Sequence, residues 1–508
     1  MAGLRPTVEV AVELAGVGSG WTVLTDVIGA ANLVLRHGID GISAINRVAS
    51  TSTAVFSLRN DAGNSGAKLG YYSLHHANKR AGWALNIGCR VRLQDPATST
   101  FYTRFLGKID VIDVKPWTKG SRRVLVTAVG WLDEAARWTL TPEIGEQVNK
   151  RWDEVATAIV AEMAVAPPAT SFDVGRDVYP YALDQSANAR QSALTEFAKL
   201  AASEFGYVYQ KADGTLRLEG RHVRLANTTS AWTLTDSTLL APDGLTAAST
   251  RDDIVNSVIV TAHPKEVSTS LEVVYSQANS ILIPAGSTKT LLGEYRDPVT
   301  DDTIGATNIQ TQIAGTDYVG QNAAGGGADV TGSLSIVVSS GASGARFDVT
   351  NSSGSDVWLT TNQLRGQGIT DRSTIRATAI DTASIAIYGE RQLLLDMPYQ
   401  ANVEIAQGAA NYILGNEATE AERAKTVTVF GRDSTTLTHL LTREISDRLT
   451  VQETVTGFNS AFFINAVELT VLPSGYVQGM YTLVRLQQDA YWTTGTSQTG
   501  VNTNASPF

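Results

Sequence analysis

The chain of 508 residues carries 40 Lys plus Arg against 50 Asp plus Glu, a formal net charge of −10. That length suits roughly three or four domains of about 100–200 residues, and the acidic balance excludes a general nucleic-acid binder, which needs a basic surface to neutralise phosphates. The single cysteine, Cys89, excludes a disulfide scaffold and any zinc site built on several cysteines.

From the N-terminus, Val8, Val10, Val12 and Leu14 alternate with Thr7, Glu9, Ala11 and Glu13, and this period of two predicts a half-buried strand. Glu9 and Glu13 also interrupt any signal-peptide core. No window reaches about 18 uninterrupted apolar residues, so neither a leader nor a membrane span is expected. Gly16, Gly18 and Gly20 superficially resemble a phosphate loop. They lack a closing Gly-Lys-Ser/Thr, and Trp21-Thr22-Val23-Leu24 reads as strand where a helix should open, so a turn between strands is expected. Strands are predicted at Phe105 to Val114 and at Arg123 to Val129. Two helices follow. In the first, Trp152, Val155, Ile159 and Met163 form one apolar stripe that stops before Pro167-Pro168. In the second, Leu194, Phe197, Ala201 and Phe205 do so from Ser192 onward, with Gly206 as the C-cap. Asp213-Gly214 suggests a tight turn, and Ser257 to Ala262 another strand.

The composition then shifts. Ile281 to Ile369 is rich in Gly, Ser, Thr and Asn and almost free of Lys, yet Ser333 to Val338 and Arg346 to Thr350 are good strands. This segment reads as a small β-sandwich inserted into a larger domain, with Ser257 to Ala262 and Ser384 to Tyr388 as the flanking strands. Val403, Ala406, Ala410 and Ile413 form a third helical stripe, closed by Gly415-Asn416. Strands at Lys425 to Phe430, Val467 to Val471 and Tyr481 to Leu486, with a turn at Ser474-Gly475, complete the chain. Strands that outnumber a few helices in this order predict a β-rich α+β class rather than alternating βαβ units.

Catalytic constellations are missing from this pattern. His37, His75, His76, His222, His263 and His439 are scattered and form no H-E-x-x-H pair, and Cys89 has no ligand-spaced histidine beside it. Asp297, Asp301 and Asp302 surround Pro298-Val299-Thr300 without the closing Glu of a calcium loop, so a solvated turn is expected. Asp133-Glu134 and Asp252-Asp253 read as surface charges; a glycosidase pair is defined by separation in space, which sequence does not give. Trp117, Trp131, Trp138 and Trp152 would make a sugar-stacking platform only if they converged, and the apolar patterns around Trp131 and Trp152 point to core packing instead. Catalytic, cofactor-binding and metal-ligating residues are therefore expected to be none.

Several stretches nonetheless resemble a known family. Phe56-Ser57-Leu58-Arg59-Asn60-Asp61-Ala62-Gly63, followed by Ile87-Gly88-Cys89-Arg90-Val91-Arg92-Leu93 and Phe105-Leu106-Gly107-Lys108-Ile109, resembles the opening of tail-tip proteins of tailed phages. Arg190-Gln191-Ser192-Ala193-Leu194 and Phe197-Ala198-Lys199-Leu200-Ala201, then Gly206-Tyr207-Val208-Tyr209 and Asp213-Gly214-Thr215-Leu216, resemble the helix–hairpin signature of baseplate hub proteins. Asp447-Arg448-Leu449-Thr450-Val451 and Phe463-Ile464-Asn465-Ala466-Val467-Glu468-Leu469 are similar to the closing barrel strands of that family. Gly315-Thr316-Asp317-Tyr318 and Leu364-Arg365-Gly366 resemble a sandwich module of phage tail proteins, and no peptidase or lysozyme module is visible.

The resemblance implies a non-enzymatic structural hub without cofactor: a homotrimeric ring at the virion tail tip, assembled in the host cytoplasm. Such a ring closes the distal tail tube, adapts a six-fold tube to a three-fold tip and lets DNA pass. Its implied partners are a distal tail or tail tube protein above, tip or fibre proteins below and a tape measure protein in the lumen. Neither sequence-specific nucleic-acid binding nor a membrane span is implied. The implied organisation is an N-terminal tube-like β domain over 1–138 and an α+β hub domain with two helices over 139–250. A second tube-like domain over 251–277 and 373–430 is split by a sandwich over 278–372, and a β-barrel-like domain spans 431–508. An acidic lumen would repel phosphate as DNA passes. Two other readings stay open: a receptor- or carbohydrate-binding tail protein using the sandwich, and a tail enzyme degrading host-envelope polysaccharide.

Overall fold

A computed structural model of the chain describes residues 5–485 apart from 30, 117–121, 142–143, 185–189, 240–243, 248–249, 421–423 and 456. Its largest feature is a thirteen-stranded sheet that takes strands from both ends of the chain. One half comprises Thr22–Val23, Thr7–Val12, Gly88–Gln94, Phe101–Lys115, Arg123–Val129, Ser50–Arg59 and Leu33–Gly38, in that spatial order. The other continues with Phe458–Val471, Val477–Arg485, Thr426–Phe430 and Leu245–Thr246. Arg448–Glu453 pairs on Phe458–Val471, and Trp232–Leu234 lies parallel to it. The halves join where Leu33–Gly38 runs antiparallel to the C-terminal strand, with Leu33 opposite Val471 and Gly38 opposite Ala466. Gly38 has φ +128°, and any side chain there would strike Ala466, so the seam needs a glycine at this point.

One apolar core lies under both halves. Phe56, Leu58 and Val126 from the N-terminal strands, and Trp83 from the loop before Gly88–Gln94, pack in the same cluster as Leu440, Phe462, Ile464, Leu469 and Tyr481. Residues 431–508, which the sequence reading sets apart as a domain of their own, thus contribute strands to this shared sheet over their described part. Thr426–Phe430, assigned by sequence to the second tube-like domain, lies in it too. The sheets are open, and no closed barrel forms among the described residues.

The second region is α+β. Helices Trp152–Glu162 and Ala193–Glu204 pack with the hairpin Tyr207–Gln210/Thr215–Glu219 around Trp152, Phe197, Leu200 and Leu216. The Ser192 hydroxyl caps the second helix by accepting the Thr195 amide. The left-handed C-terminal residue is Phe205 (φ 59°) rather than Gly206. Packing holds it there: its ring lies 3.5 Å beneath the Arg47 guanidinium and edge-on to Tyr412. Gly206 is needed for close approach, because a Cβ would come within 2.6 Å of the Trp152 ring.

Beyond this region Ser257–Ala262 sits between antiparallel Ile375–Ile380 and parallel Gln392–Met397, with helix Val403–Glu417 packed on one face. Two sequence expectations fail here. Ser384 to Tyr388 is not a strand but part of helix Thr382–Tyr388, because the Asp381 carboxylate caps the Ser384 amide and outweighs the β propensity of Ile385 and Ile387. The third helix also runs through Gly415 to Glu417 before ending at Ala418.

The inserted segment leaves after Ala262 and returns at Ile375, residues that face each other across the sheet. Its sheets are built on the long strand Val357–Asp371 and on Thr288–Glu294, Leu334–Ser340 and Gly344–Asn351, around a separate core of Val274, Tyr295, Phe347, Val349 and Leu359. Lys265–Val267 and Glu272–Ser276 already pair with Val357–Asp371, so strand pairing in this unit begins before residue 278.

Candidate functional site

The side chains with chemical potential do not converge. His75 and His76 are exposed, and His439 stacks on Trp232 at 4.7 Å. His263 Nε2 lies 2.5 Å from the Asp396 carboxylate. Burial and the neighbouring Arg221 guanidinium push the His222 imidazole down to about 4. Cys89 is buried, and desolvation pushes its thiol up to about 12, out of reach of nucleophilic chemistry at neutral pH. Among the described residues no group of three or more His, Cys, Asp or Glu could hold a metal ion.

The other sequence candidates resolve into turns, ion pairs and packing. Asp297 Oδ1 accepts the Val299 and Thr300 amides at 2.8 and 2.9 Å, closing a turn. Asp133 and Glu134 pair with Arg137 and Lys108, and Asp252 and Asp253 with Arg391 and Lys425. Gly16, Gly18 and Gly20 all have positive φ in the turn between Thr7–Val12 and Thr22–Val23, where the Gly18 amide donates to Glu13. Trp117 lies outside the described residues. Trp131 and Trp152 are buried, and their indoles donate to the Val165 and Asp173 carbonyls at 2.9 and 2.8 Å, so they serve packing.

What the structure does bring together is a polar junction at the seam of the large sheet. Glu444 accepts the Ala212 amide of the hairpin turn at 3.0 Å and bonds His37 Nε2 of the N-terminal half. Burial alone would raise its carboxyl. His37, Arg104 and the Ala212 amide more than offset that and hold it down at about 2. Arg104 donates to the carbonyls of Leu441 and Arg443. On the hairpin side, Arg224 donates to Glu219 Oε1 at 3.0 Å and to Asn465 Oδ1 at 2.8 Å, and stacks 3.7 Å from the Tyr207 ring. Asn465 in turn donates to the Gly41 carbonyl, and Ser446 to Glu219. Three segments distant in sequence are thereby tied together by ion pairs and hydrogen bonds, although Arg104 Nε and Arg224 Nη2 stay buried without a partner.

Sequence alternation misses these residues for a physical reason. His37, Arg104 and Asn465 each stand at a register shift in their strand pairs. An extra residue at such a point breaks the alternation and turns a polar side chain inward. A charged or amide residue within an apolar strand run is the signal, but its inward aim depends on a partner strand that the local sequence does not name.

No helix among the described residues is long and apolar enough to cross a membrane. No family model matches the chain, and no curated protein matches it. Solved structures do show a likeness. The 43 kDa tail protein of prophage MuSo2 from Shewanella oneidensis is 10% identical with a TM-score of 0.49, over 94% of this chain and 97% of that one. A tail protein from Neisseria meningitidis MC58 is 12% identical with a TM-score of 0.48, over 96% and 98%. The prophage tail protein gp18 from Listeria monocytogenes EGD-e is 6% identical with a TM-score of 0.41, over 95% and 96%.

Proposed function

We propose that this chain is a structural tail hub of a tailed bacteriophage, acting as a trimeric ring at the distal end of the tail tube and performing no catalysis. One observation carries the reading. The helix and hairpin over 190–219, whose residues resemble the hub signature, are wedged at the seam where the two ends of the chain meet, fixed there by Glu219, Arg224 and Glu444. A ring component that transmits load is stiffened when strands far apart in sequence share one sheet, and buried charge pairs of this kind favour a specific register rather than large stability.

Closed rings arise from head-to-tail contacts that close on themselves. In this reading each ring holds three copies, docks on a distal tail or tail tube protein, carries tip or fibre proteins, surrounds a tape measure protein and presents an acidic lumen to DNA. The domain scheme keeps tube-like β units around the lumen and the inserted sandwich outward. Cryo-electron microscopy of the assembled particle tests this directly. Three copies around the distal tube, with Asp, Glu and small polar residues lining the channel, is the expected result. A six-copy ring within the tube, or a channel lined by unpaired Lys and Arg, overturns it.

A further inference from the structure

The inserted sandwich touches the helix-bearing region at a small, ionisable contact. The ribbon of Gln147–Arg151 and Val178–Ala182 ends on Glu146 and Asp184. The Ala342 amide of the sandwich donates to the Ile144 carbonyl at 2.8 Å, and the Thr307 hydroxyl bonds the Glu146 carboxyl. Glu146 Oε1 is buried with no hydrogen-bond partner. Asp184, nearly fully buried, faces Lys265 at 2.8 Å, and Lys265 also faces Asp371 at 2.5 Å. Gly305 lies so close that a Cβ would come within 2.7 Å of the Asp184 side chain.

Asp184 and Asp371 therefore share one ammonium, Lys265, while Glu146 lies beside Asp184 and feels its charge. The other described titratable groups coupled to Glu146 are the phenols of Tyr181 and Tyr295, each raised by burial with Glu146 adding to the effect. His263, two residues from Lys265 in the sequence, is bonded to Asp396 instead. Burial pushes the Glu146 carboxyl up to about 7; the Thr307 bond opposes this and the Asp184 charge adds to it. The chain also crosses into and out of the sandwich beside Ala262 and Ile375, and these two crossings place a natural hinge at one end of the contact.

We propose that this contact is a pH-operated latch: with Glu146 protonated the sandwich is held against the helix-bearing region, and with Glu146 ionised it is released about the crossing at Ala262 and Ile375. The sign follows from the carboxyl's position. A group raised in the docked state favours docking fully below its ordinary value of 4.5 and loses that contribution as pH rises through about 7. The docking equilibrium falls by at most roughly a few-hundred-fold across that window. The inference does not depend on the hub reading.

The test uses the full chain with dyes on Val174→Cys and Val299→Cys, two exposed positions on either side of the contact; native Cys89 is buried and should not label. Energy transfer is followed from pH 5 to 8.5. The expected result is a fall in transfer with a midpoint near 7 that E146Q abolishes, holding the low-pH value throughout. H263Q should follow the parent chain. A flat parent curve, an unaltered transition in E146Q, or loss of the transition in H263Q overturns the latch. Should E146Q fail to fold, D184N decides: removing a like charge should move the midpoint down, and no movement overturns the proposal.

Discussion

The large shared sheet and the inserted sandwich solve the same problem, burying strand faces, in opposite ways. The sheet draws its core from both chain ends and locks its seam with Glu444, Arg224 and Glu219, so neither half can be removed without stranding buried charge. The sandwich has a private core around Phe347 and Tyr295 and meets the rest at a polar contact that includes Asp184 and Lys265 and at two adjacent crossings. Tertiary coupling in this chain thus scales with how many distant segments share a core, not with strand count. Long-range pairing predicts that the sheet unfolds as one cooperative unit, and the short return path predicts that the sandwich unfolds nearly independently.

The sharpest way to break that contrast is at Arg224. Replacing it with Leu leaves Glu219 buried without its cation, a loss expected to reach about 3–5 kcal/mol. Denaturant unfolding of the full chain should show the main transition moved by that amount. A change below about 1 kcal/mol would mean that the seam is held by apolar packing alone. Phe347→Ala comes next, with about 3–4 kcal/mol expected from the lost ring and the cavity it leaves. That loss should fall on the sandwich: hydrogen exchange should quicken across Leu334–Asn351 while the strands of the large sheet stay protected. Equal loosening of both would erase the distinction.

Glu444→Gln is a smaller and pH-dependent perturbation. The carboxyl is held at about 2 against an ordinary 4.5. Its contribution, about 2–3 kcal/mol, is therefore fully present above pH 4.5 and lost as pH falls toward 2. Parent and variant should differ at pH 7 and converge near pH 2. Parallel stability curves over that range would show that the His37 and Ala212 bonds do not depend on ionisation.

Much of this was legible in the sequence, and the limits have identifiable causes. Alternation placed Thr7–Val12 and Arg123–Val129, and apolar stripes placed the helices at Trp152–Glu162 and Ala193–Glu204, because those patterns are local. The pairing of Leu33–Gly38 with Phe458–Val471 was not legible, since a period of two specifies a face and not a partner. His37 and Glu444, 407 residues apart, read separately as a scattered histidine and an ordinary acidic residue. Asp381 turned a β-prone run into a helix by capping it, and the polar junction stayed hidden behind register shifts at His37, Arg104 and Asn465.

The smallest expected effect comes from the largest change. Removing residues 263–374 and joining Ala262 to Ile375 through Asn-Gly should leave the rest folded, because these residues already face each other as an antiparallel pair and a two-residue turn spans that gap. The deletion removes Lys265 from Asp184 and Thr307 from Glu146, but both carboxyls then gain water, which offsets the lost bonds. Ile144 becomes partly exposed, a cost of about 1 kcal/mol in lost apolar burial. The shortened chain should therefore unfold within about 1–2 kcal/mol of the parent's main transition and lose any pH-dependent change carried by Glu146. Collapse of the large sheet on deletion would show that the sandwich supports it, and that the two regions form one cooperative unit.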